Sequence, residues 1–432
     1  MKIHLDLDCY FVSAERTRYP FLNGKEVVVA KSSDKKIFSD SKKNGVLLPN
    51  TGAFNSTLEF ANNYNGDTLN LWREHFIDKD GTIHGIVITK SYEAKALGIT
   101  TGMPLVEALR RSKNLIVIPS DHLFYQEISQ RLKSYLEKRI PLLEQYSIDE
   151  FFGDLNGWIK EEDTLEFIAQ LQDDILREFG LPISIGASSS KWIAKLLTDT
   201  IKPYGVKVVE KEEIANFTKD IPIEEFPGVG RAIYKKLHSY GIKTLGELQK
   251  SPSLLTAYGK SGRELYRRVC GSDNEAIVVG SERKSIGISR NFQAIDSRKE
   301  LYRRVAILAR YLSFSVAKLS LNPTTFYFKI KYEHGASQKV SISQNRIFNE
   351  RFFIDLALSK VKELDIFPNQ SIHYISMSVS NFSSLNNLKT LSLIDYEKDA
   401  KMQKLNKKLM QIREKYGVDT IYYGNEKSFL EG

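Results

Sequence analysis

The chain has 432 residues, a length that predicts three or four domains rather than one core. Its net charge of +9 and its pI of about 9.1 favour a polyanionic partner. Its two cysteines fit neither a zinc spacing nor a disulfide framework. There is no signal-peptide-like apolar segment and no run of the ~20 apolar residues that a membrane span needs. We therefore expect a cytoplasmic monomer without a membrane segment.

The first predicted element is a strand in which apolar and acidic residues alternate, from Ile3 to Asp8. Alternation places Asp6 and Asp8 on one face and the intervening leucines on the other. Carboxylates on a strand are costly unless they are solvated or bound to metal. A helix is predicted to follow, over residues 12–16.

Further elements follow from apolar periodicity. Strands are predicted at residues 27–30, 85–89 and 183–187, and helices at 121–139, 164–179, 191–201 and 398–416. Residues 31–84 form a long polar stretch rich in Asn, Gly and Ser, for which the sequence offers no mechanism.

Two adjacent carboxylates, Asp149 and Glu150, lie in the otherwise apolar run from Tyr146 to Phe152. The run predicts a hairpin with the pair near its tip. Like charges this close raise each other's pKa unless a cation keeps them ionised. Together with Asp6 the pair offers three hard oxygen ligands, the type that Mg²⁺ prefers. Two such ions about 3.5–4 Å apart are the usual machinery of nucleotidyl transfer.

Four segments resemble, in chain order, the motifs of Y-family DNA polymerases, the lesion-bypass enzymes of the DinB/UmuC class. They are Asp-Leu-Asp-Cys-Tyr-Phe at 6–11, Tyr-Glu-Ala-Lys at 92–95, Ser-Ile-Asp-Glu at 147–150 and Lys-Pro-Tyr-Gly at 202–205. The resemblance covers residues 1–31 and about 85–394. It implies an α+β right-hand polymerase with a split βαβ (ferredoxin-like) palm, inserted fingers, a helical thumb and a βαββαβ little finger.

The resemblance also implies domain boundaries. The palm would comprise residues 1–17 and 120–207, and the fingers 18–119 with an insertion at about 32–84. The thumb would comprise residues 208–282, the little finger 283–394 and a helical tail 395–432.

The implied reaction is attack of a primer 3′-OH on the α-phosphate of a dNTP, with low fidelity on damaged or undamaged template. Asp6 and Asp149 would bridge two Mg²⁺ ions, with Mn²⁺ as an alternative. Glu150 would bind the primer-side ion, and the Leu7 carbonyl would complete the nucleotide-side site.

The resemblance assigns further residues to the incoming nucleotide. Phe11 would be the steric gate against a 2′-OH, and the others would contact the nucleotide: Tyr10, Thr89, Tyr92, Lys95 and Lys202. Lys95 departs from the Arg that the family usually has, and it lacks the bidentate fork of that side chain.

Two regions are predicted to contact primer–template DNA. Gly228 and Gly230 resemble the helix-hairpin-helix turn, whose backbone amides approach a phosphate. Residues 284–394 contain 16 Lys and Arg against 7 Asp and Glu, an excess equal to the net charge of the whole chain. Strand alternation there places basic and hydroxyl side chains on one acid-free face that includes Lys329, Lys331 and Lys339.

The segment from Thr390 to Ile394 is similar to the sliding-clamp-binding peptide of bacterial polymerases, with Thr and Ile replacing its Gln and Phe. A competing interpretation is that its two leucines belong to the core of the last domain. Two other functions stay open on sequence grounds. One is a two-metal nuclease, and the other is a catalytically weak DNA- and clamp-binding subunit of an SOS repair complex.

Overall fold

The structure is a computed structural model that describes residues 1–32, 35–38, 45–47, 58–60, 72–78, 80–280, 283–383 and 395–422. The chain forms two compact units. The described residues of 1–31 and 67–281 make the N-terminal unit, and those of 32–66 and 282–432 make the C-terminal unit. No helix in the described part of the chain is long and apolar enough to cross a membrane.

The first half of the chain alternates strands and helices. Its elements are β1 (Lys2–Leu7), α1 (Tyr10–Arg18), β2 (Val27–Lys31), β3 (Gly45–Leu47), β4 (Leu58–Phe60), α2 (Trp72–Phe76), β5 (Ile86–Lys90), α3 (Tyr92–Ala96), α4 (Leu105–Arg111), β6 (Ile116–Pro119), α5 (His122–Leu136), β7 (Leu142–Gln145), β8 (Glu150–Asp154), α6 (Thr164–Phe179), β9 (Ile183–Ser188), α7 (Lys191–Ile201) and β10 (Val206–Val209).

The main sheet of the N-terminal unit has the strand order β10-β9-β1-β8-β7. Strand β1 runs antiparallel to both of its neighbours, and β10 is added parallel to β9. The four strands β9-β1-β8-β7, with α5 and α6 as their crossovers, have the predicted split βαβ arrangement. The apolar face of β1, formed by Ile3, Leu5 and Leu7, is buried in the same core as the apolar stripe of α6.

A smaller sheet of order β5-β2-β6 forms a second part of this unit. Strands β2 and β5 are antiparallel, whereas β2 and β6 are parallel. Val28, Ala30 and Val87 pack there against Ala94 of α3 and Leu105 of α4. The N-terminus of α3, which begins at Tyr92, therefore has a fixed position beside this sheet.

The rest of the N-terminal unit is helical. Its helices are α8 (Ile214–Thr218), α9 (Arg231–Ser239), α10 (Leu245–Gln249), α11 (Pro252–Thr256) and α12 (Gly259–Val269). Their apolar faces share a core with Trp192, Ile193, Leu196 and Leu197 of α7. Because α7 also packs on β1 and β9, this helix links the helical region to the main sheet.

The C-terminal unit contains β11 (Ser285–Ile295), α13 (Arg298–Lys318), β12 (Pro323–Tyr332), β13 (Ser337–Ser343), α14 (Glu350–Leu364), β14 (Ile372–Phe382) and α15 (Tyr396–Tyr416). Its antiparallel sheet has the order β11-β14-β12-β13, and the apolar face of this sheet packs on α13 and α14. Helix α15 contacts α13 and α14 and therefore adds an outer layer to the helices.

A short turn at Lys35–Phe38 also belongs to the C-terminal unit. Ile37 and Phe38 are buried in its core, and the Arg303 guanidinium donates to the Phe38 carbonyl at 3.1 Å. The resemblance assigned residues 32–84 to an insertion within the fingers. The described residues of 32–66 instead pack with the C-terminal unit, an outcome that their polar composition did not indicate.

Candidate active site

The two adjacent carboxylates lie at the tip of the hairpin between β7 and β8, as predicted. The amides of Tyr146 and Ser147 both donate to the Glu150 carbonyl, at 3.0 and 3.1 Å. In the sheet, Asp6 is directly opposite Glu150, and the Leu7 amide donates to the Asp149 carbonyl at 3.1 Å. Backbone pairing between two distant segments therefore brings Asp6, Asp149 and Glu150 together.

Helix α5 fixes the tip of this hairpin from behind. The Ser129 hydroxyl donates to the Ile148 carbonyl at 2.5 Å, and the Gln145 amide donates to the Ser129 hydroxyl at 2.9 Å. Ser129 and Ile148 are both buried, so these bonds are shielded from water. The sequence alone gave no indication of this support.

Asp6, Glu150 and His4 offer ligand atoms that all lie within 4.8 Å of one another. His4 is fully buried, and neither of its ring nitrogens has a hydrogen-bond partner among the described residues. Asp149 adjoins this group but is not a member of it. His4 is not among the predicted site residues, although the alternation in β1 places it on the same face as Asp6.

The carboxylates repel one another in a buried setting. Burial raises the pKa of Asp6 well above its usual value, and Asp149 and Glu150 raise it further. Burial and the neighbouring Glu150 raise the pKa of Asp149 to about 6. A bound cation would relieve both effects, so this oxygen-rich group fits a divalent metal such as Mg²⁺.

Two lysines contact the same carboxylates. The Lys202 ammonium lies 2.6 Å from Asp6 and 3.1 Å from Asp199, and the Lys195 ammonium pairs with Glu150. Burial lowers the pKa of Lys202, but Asp6 and Asp199 outweigh burial and raise it. Lys202 directly follows the last residue of α7, whose bounds match the predicted helix 191–201.

Asp8 is buried and makes a different set of contacts. It accepts hydrogen bonds from the Ser184 hydroxyl, the Tyr204 amide at 2.8 Å and the Tyr92 hydroxyl at 3.2 Å. Burial and Asp8 raise the pKa of Tyr92. Asp8 therefore connects β1 and β9 with two segments that the resemblance assigns to the nucleotide, a role for which its position in the sequence carries no signal.

Phe11 is half-buried beside the site. Its ring stacks on that of Tyr125, with centroids 4.4 Å apart and planes 13° apart, and its edge meets His122. The Tyr125 hydroxyl donates to Glu15 at 2.7 Å, so the supporting ring is fixed. Tyr10 is buried, and its hydroxyl donates to the Tyr125 carbonyl.

The remaining nucleotide candidates lie on β5 and α3. Thr89 pairs with Val29 in the small sheet. Ser91 caps α3 by accepting from the Ala94 amide, so Tyr92 begins the helix. Lys95 is exposed one turn later, with its ammonium 5.6 Å from the Tyr92 ring centroid. The Tyr92 hydroxyl therefore bonds to Asp8, whereas the Lys95 side chain is exposed to solvent.

The two candidate DNA-contacting regions have the predicted local structure. Gly228 has a φ of +102°, and α9 begins directly after Gly230, which has no side-chain cap. In the C-terminal unit, Lys329 and Lys331 alternate with the buried Phe328 and Ile330, and Lys339 lies directly opposite Lys329.

The same face of this sheet contains hydroxyl, amide and aromatic side chains from all four strands. They include Ser285, Ser289, Asn291, Tyr327, Ser341, Tyr374, Ser376 and Ser378. Basic and neutral polar groups without acids are suited to the phosphate backbone rather than to base edges.

Comparisons with known proteins identify the family. The profile of the impB/mucB/samB family matches residues 5–199, and the profile of the C-terminal domain of that family matches residues 283–393. The DNA polymerase-iota thumb domain matches residues 224–273.

Two curated relatives are named DNA polymerase IV. The Shewanella amazonensis protein is 30% identical over 309 residues, which cover 71% of this chain and 72% of the relative. The Clostridium kluyveri protein is 28% identical over an alignment that covers 98% of this chain and 96% of the relative.

Solved structures show the same fold. A Y-family DNA polymerase chimera of Dbh and Dpo4 is 21% identical, with a TM-score of 0.70 over 88% of this chain and 98% of the chimera. DinB from Sulfolobus solfataricus is 20% identical, with a TM-score of 0.51 over 88% of this chain and 98% of its own. The chain therefore belongs to the impB/mucB/samB family of Y-family DNA polymerases.

Proposed function

We propose that this protein is a lesion-bypass, DNA-directed DNA polymerase that adds dNTPs to a primer 3′-OH. The observation that carries the proposal is the meeting of Asp6, Asp149 and Glu150 at the β1–β8 pairing, with Lys195 and Lys202 beside them. Carboxylates for divalent ions and cations for phosphates are the two requirements of phosphoryl transfer.

Each residue would have a distinct role in the reaction. Asp6 and Asp149 would bind two Mg²⁺ ions, with Glu150 and the Leu7 carbonyl as additional ligands. When bound, these ions would lower the pKa of the primer 3′-OH and neutralise charge on the phosphates. Lys202 would contact the β- and γ-phosphates and stabilise the pyrophosphate as it leaves. Tyr92, oriented by Asp8, and Thr89 and Lys95 would position the triphosphate.

Phe11 would select the sugar. Its stacking on Tyr125 limits how far its ring can move, so a 2′-OH above that ring would meet a rigid obstacle. Discrimination would thus arise from a steric conflict with ribonucleotides rather than from a contact with deoxyribonucleotides.

The thumb and the little finger would bind primer–template DNA through its backbone. The amides at the start of α9 would meet a phosphate near Gly228 and Gly230. The basic sheet face with Lys329, Lys331 and Lys339 would follow further phosphates. Such contacts are independent of sequence, which suits a polymerase that acts on any template.

Primer extension on a labelled primer–template tests the proposal against its rivals. A polymerase lengthens the primer only when dNTPs and Mg²⁺ are added. A two-metal nuclease shortens it without dNTPs, and a regulatory subunit leaves it unchanged. Asp6→Asn and Asp149→Asn are each expected to abolish extension while DNA binding is largely retained. A variant that keeps more than a few per cent of the wild-type rate would refute the metal-ligand assignment.

The segment from Thr390 to Ile394 lies outside the described residues. We keep it as a candidate sliding-clamp peptide, in which Leu391 and Leu393 enter an apolar pocket of the clamp. Replacing both leucines with Ala should remove the stimulation of processivity by the clamp and leave clamp-free extension unchanged. Equal losses with and without the clamp would instead place both leucines in the core.

A further inference from the structure

Phe11 and Glu15 lie four residues apart in α1, so their side chains share one face of this helix. Tyr125 of α5 packs against that face and contacts both residues. Its ring stacks on the Phe11 ring, and its hydroxyl donates to the Glu15 carboxylate at 2.7 Å. One contact at the ring face and one at the hydroxyl therefore fix where the Tyr125 ring lies relative to α1.

The backbone of Tyr125 is held as well. The hydroxyl of Tyr10, the residue before Phe11, donates to the Tyr125 carbonyl at 2.5 Å. Tyr10, Tyr125 and Glu15 are all buried, so water does not compete for these bonds. Burial raises the pKa of the Tyr125 phenol and Glu15 raises it further, so the phenol keeps the proton that it donates. Residues on both sides of Phe11 in the chain thus hold the ring on which Phe11 stacks.

Glu15 is itself held by Arg18, which lies one turn later in α1. The Arg18 guanidinium donates to the same carboxylate oxygen at 2.8 Å and to Asp121 at 3.1 Å. Asp121 caps α5 by accepting from the Phe124 amide, and the Arg18 guanidinium lies 3.5 Å from the centroid of the Phe124 ring. The acceptor for the Tyr125 hydroxyl is therefore fixed between two helices.

A steric gate excludes a 2′-OH only if its ring resists displacement. The Phe11 side chain turns about two bonds, so neighbouring groups determine whether its ring can move. His122 meets this ring edge-on, with centroids 5.6 Å apart, whereas Tyr125 lies parallel to it. Tyr125 is therefore the neighbour that supports the flat face of the Phe11 ring.

We propose that Tyr125 and Glu15 are positioning residues for sugar selection, because their hydrogen bond holds the ring on which Phe11 stacks. Both residues are buried, so they act on the nucleotide only through Phe11. The inference rests on the proposed function, since it concerns the sugar of the incoming nucleotide. Loss of the hydrogen bond loosens the gate and admits ribonucleotides, while the groups that bind the metal and the triphosphate stay in place.

Single-nucleotide insertion on a primer–template tests the proposal through kcat/KM for a dNTP and its matching rNTP. Tyr125→Phe keeps the ring but removes the hydrogen bond, and it should raise the rNTP/dNTP efficiency ratio about three- to tenfold. Tyr125→Leu also removes the stacked ring and should raise the ratio further. The dNTP efficiency of Tyr125→Phe should change less than about threefold. An unchanged ratio in both variants would overturn the proposal.

Variants of Phe11 and Glu15 test how Tyr125 acts. In a Phe11→Ala background there is no gate to support, so Tyr125→Phe should change the ratio less than about twofold. An undiminished effect in that background would show that Tyr125 does not act through Phe11. Glu15→Gln keeps an acceptor for the Tyr125 hydroxyl and should stay near the wild-type ratio, whereas Glu15→Ala should raise the ratio as Tyr125→Phe does. A wild-type ratio in Glu15→Ala would exclude Glu15 from this role.

The matched control is Tyr311→Phe, because the Tyr311 hydroxyl donates to Asp419 at 2.6 Å in the C-terminal unit. This variant removes an equivalent bond between a buried tyrosine and a carboxylate, and it should leave the rNTP/dNTP ratio unchanged. Thermal unfolding measures the stability that each tyrosine variant loses. A ratio that rises equally in Tyr311→Phe would show that reduced stability, and not the position of Phe11, admits ribonucleotides.

A readout that needs no primer extension is the ¹⁹F spectrum of 4-fluorophenylalanine introduced at position 11 alone. In the free protein, Tyr125→Phe should shift or broaden this resonance, whereas Tyr311→Phe should leave it unchanged. A resonance that is the same in Tyr125→Phe as in the wild type would overturn the proposal. A wild type that extends no primer would count against the proposed function alone, because the spectrum still reports whether Tyr125 positions Phe11.

Discussion

The Asp149 carboxylate is a proposed metal ligand, and its position in the folded protein lowers stability. Its carboxylate is held beside Glu150 at the hairpin tip, and burial with this neighbour raises its pKa from the ordinary 3.8 to about 6. An acid with a raised folded-state pKa binds more protons when folded. The Asp149 carboxyl therefore lowers the free energy of unfolding progressively as the pH rises from about 4 to 6. Above pH 6 this destabilisation is complete and constant.

The first prediction follows from this fall in stability with rising pH. In metal-free buffer at pH 7.5, Asp149→Asn should raise the free energy of unfolding by about 1–3 kcal/mol, with a smaller gain at pH 5. Urea denaturation in EDTA at both pH values measures it. Glu161→Gln, at an exposed position, serves as the control with little change expected. If Asp149→Asn is no more stable than the wild type at pH 7.5, the Asp149 carboxylate does not destabilise the folded protein.

The second prediction concerns Phe11, whose ring is fixed against Tyr125. Phe11→Ala should raise the efficiency of ribonucleotide relative to deoxyribonucleotide incorporation by at least about tenfold, because the steric conflict is removed. Single-nucleotide kcat/KM values for matched dNTP and rNTP measure it. Phe11→Tyr keeps the ring and should keep the wild-type ratio. An unchanged ratio in the Ala variant would exclude Phe11 as the gate.

Several elements could be predicted from sequence because their signals are local. Helices α6 and α7 have the predicted bounds, since apolar residues recur at helical spacing and Ser190 caps α7. Local signals also predicted the carboxylates Asp6, Asp149 and Glu150, which the structure brings together where β1 pairs with β8. Contacts that depend on tertiary packing have no local signal, such as Ser184 on Asp8 and Lys195 on Glu150.

The turn at Lys35–Phe38 is another element that sequence reasoning could not place. The Phe38 ring meets Phe292 edge-on at 5.9 Å, and the Arg304 guanidinium lies 4.9 Å from the centroid of the Phe38 ring. Each partner is more than 250 positions away in the chain. No periodicity within residues 31–84 encodes such a contact.

The third prediction tests that packing. Phe38→Ala should destabilise the C-terminal unit by about 2–4 kcal/mol, because it removes a buried aromatic ring from a formed core. Hydrogen exchange should become faster in α13, which packs against this ring. Phe21→Ala, at a position that is 52% exposed, should have little effect. Unaltered exchange in α13 would show that Phe38 does not contribute to this core.

At the scale of the whole molecule, the distribution of charge was the property that could best be predicted from the sequence. Three lysines of the basic segment 284–394, Lys329, Lys331 and Lys339, lie on one acid-free face of the sheet, because the apolar residues that alternate with them face α13 and α14. Most of the other basic residues of this segment lie on α13 and α14. The position of α15 was not predictable from its charged composition, because its attachment depends on Arg310, Arg346 and Glu350, which are distant in the chain.

The final prediction concerns this sheet face. Lys329 and Lys339 lie directly opposite each other on β12 and β13, an arrangement that costs roughly 0.2–1 kcal/mol because like charges repel. The adjacent Lys331 ammonium lies 4.7 Å from the Tyr374 ring centroid. Such crowding of cations is unfavourable in the free protein and becomes favourable when phosphates neutralise them.

Changing Lys329, Lys331 and Lys339 to Ala should therefore have opposite effects on binding and stability. Affinity for a short-overhang primer–template should fall with little dependence on sequence, and the slope of log K against log salt should lessen by about 2.7, or 0.9 for each lost phosphate contact. Thermal stability of the free protein should stay equal or rise, because the repulsion between Lys329 and Lys339 is removed. The helix-side variant Lys318→Ala, Lys360→Ala, Lys362→Ala should change neither the affinity nor the slope. A lysine triple variant that loses stability while keeping its salt slope would show that these side chains support the sheet instead of contacting DNA.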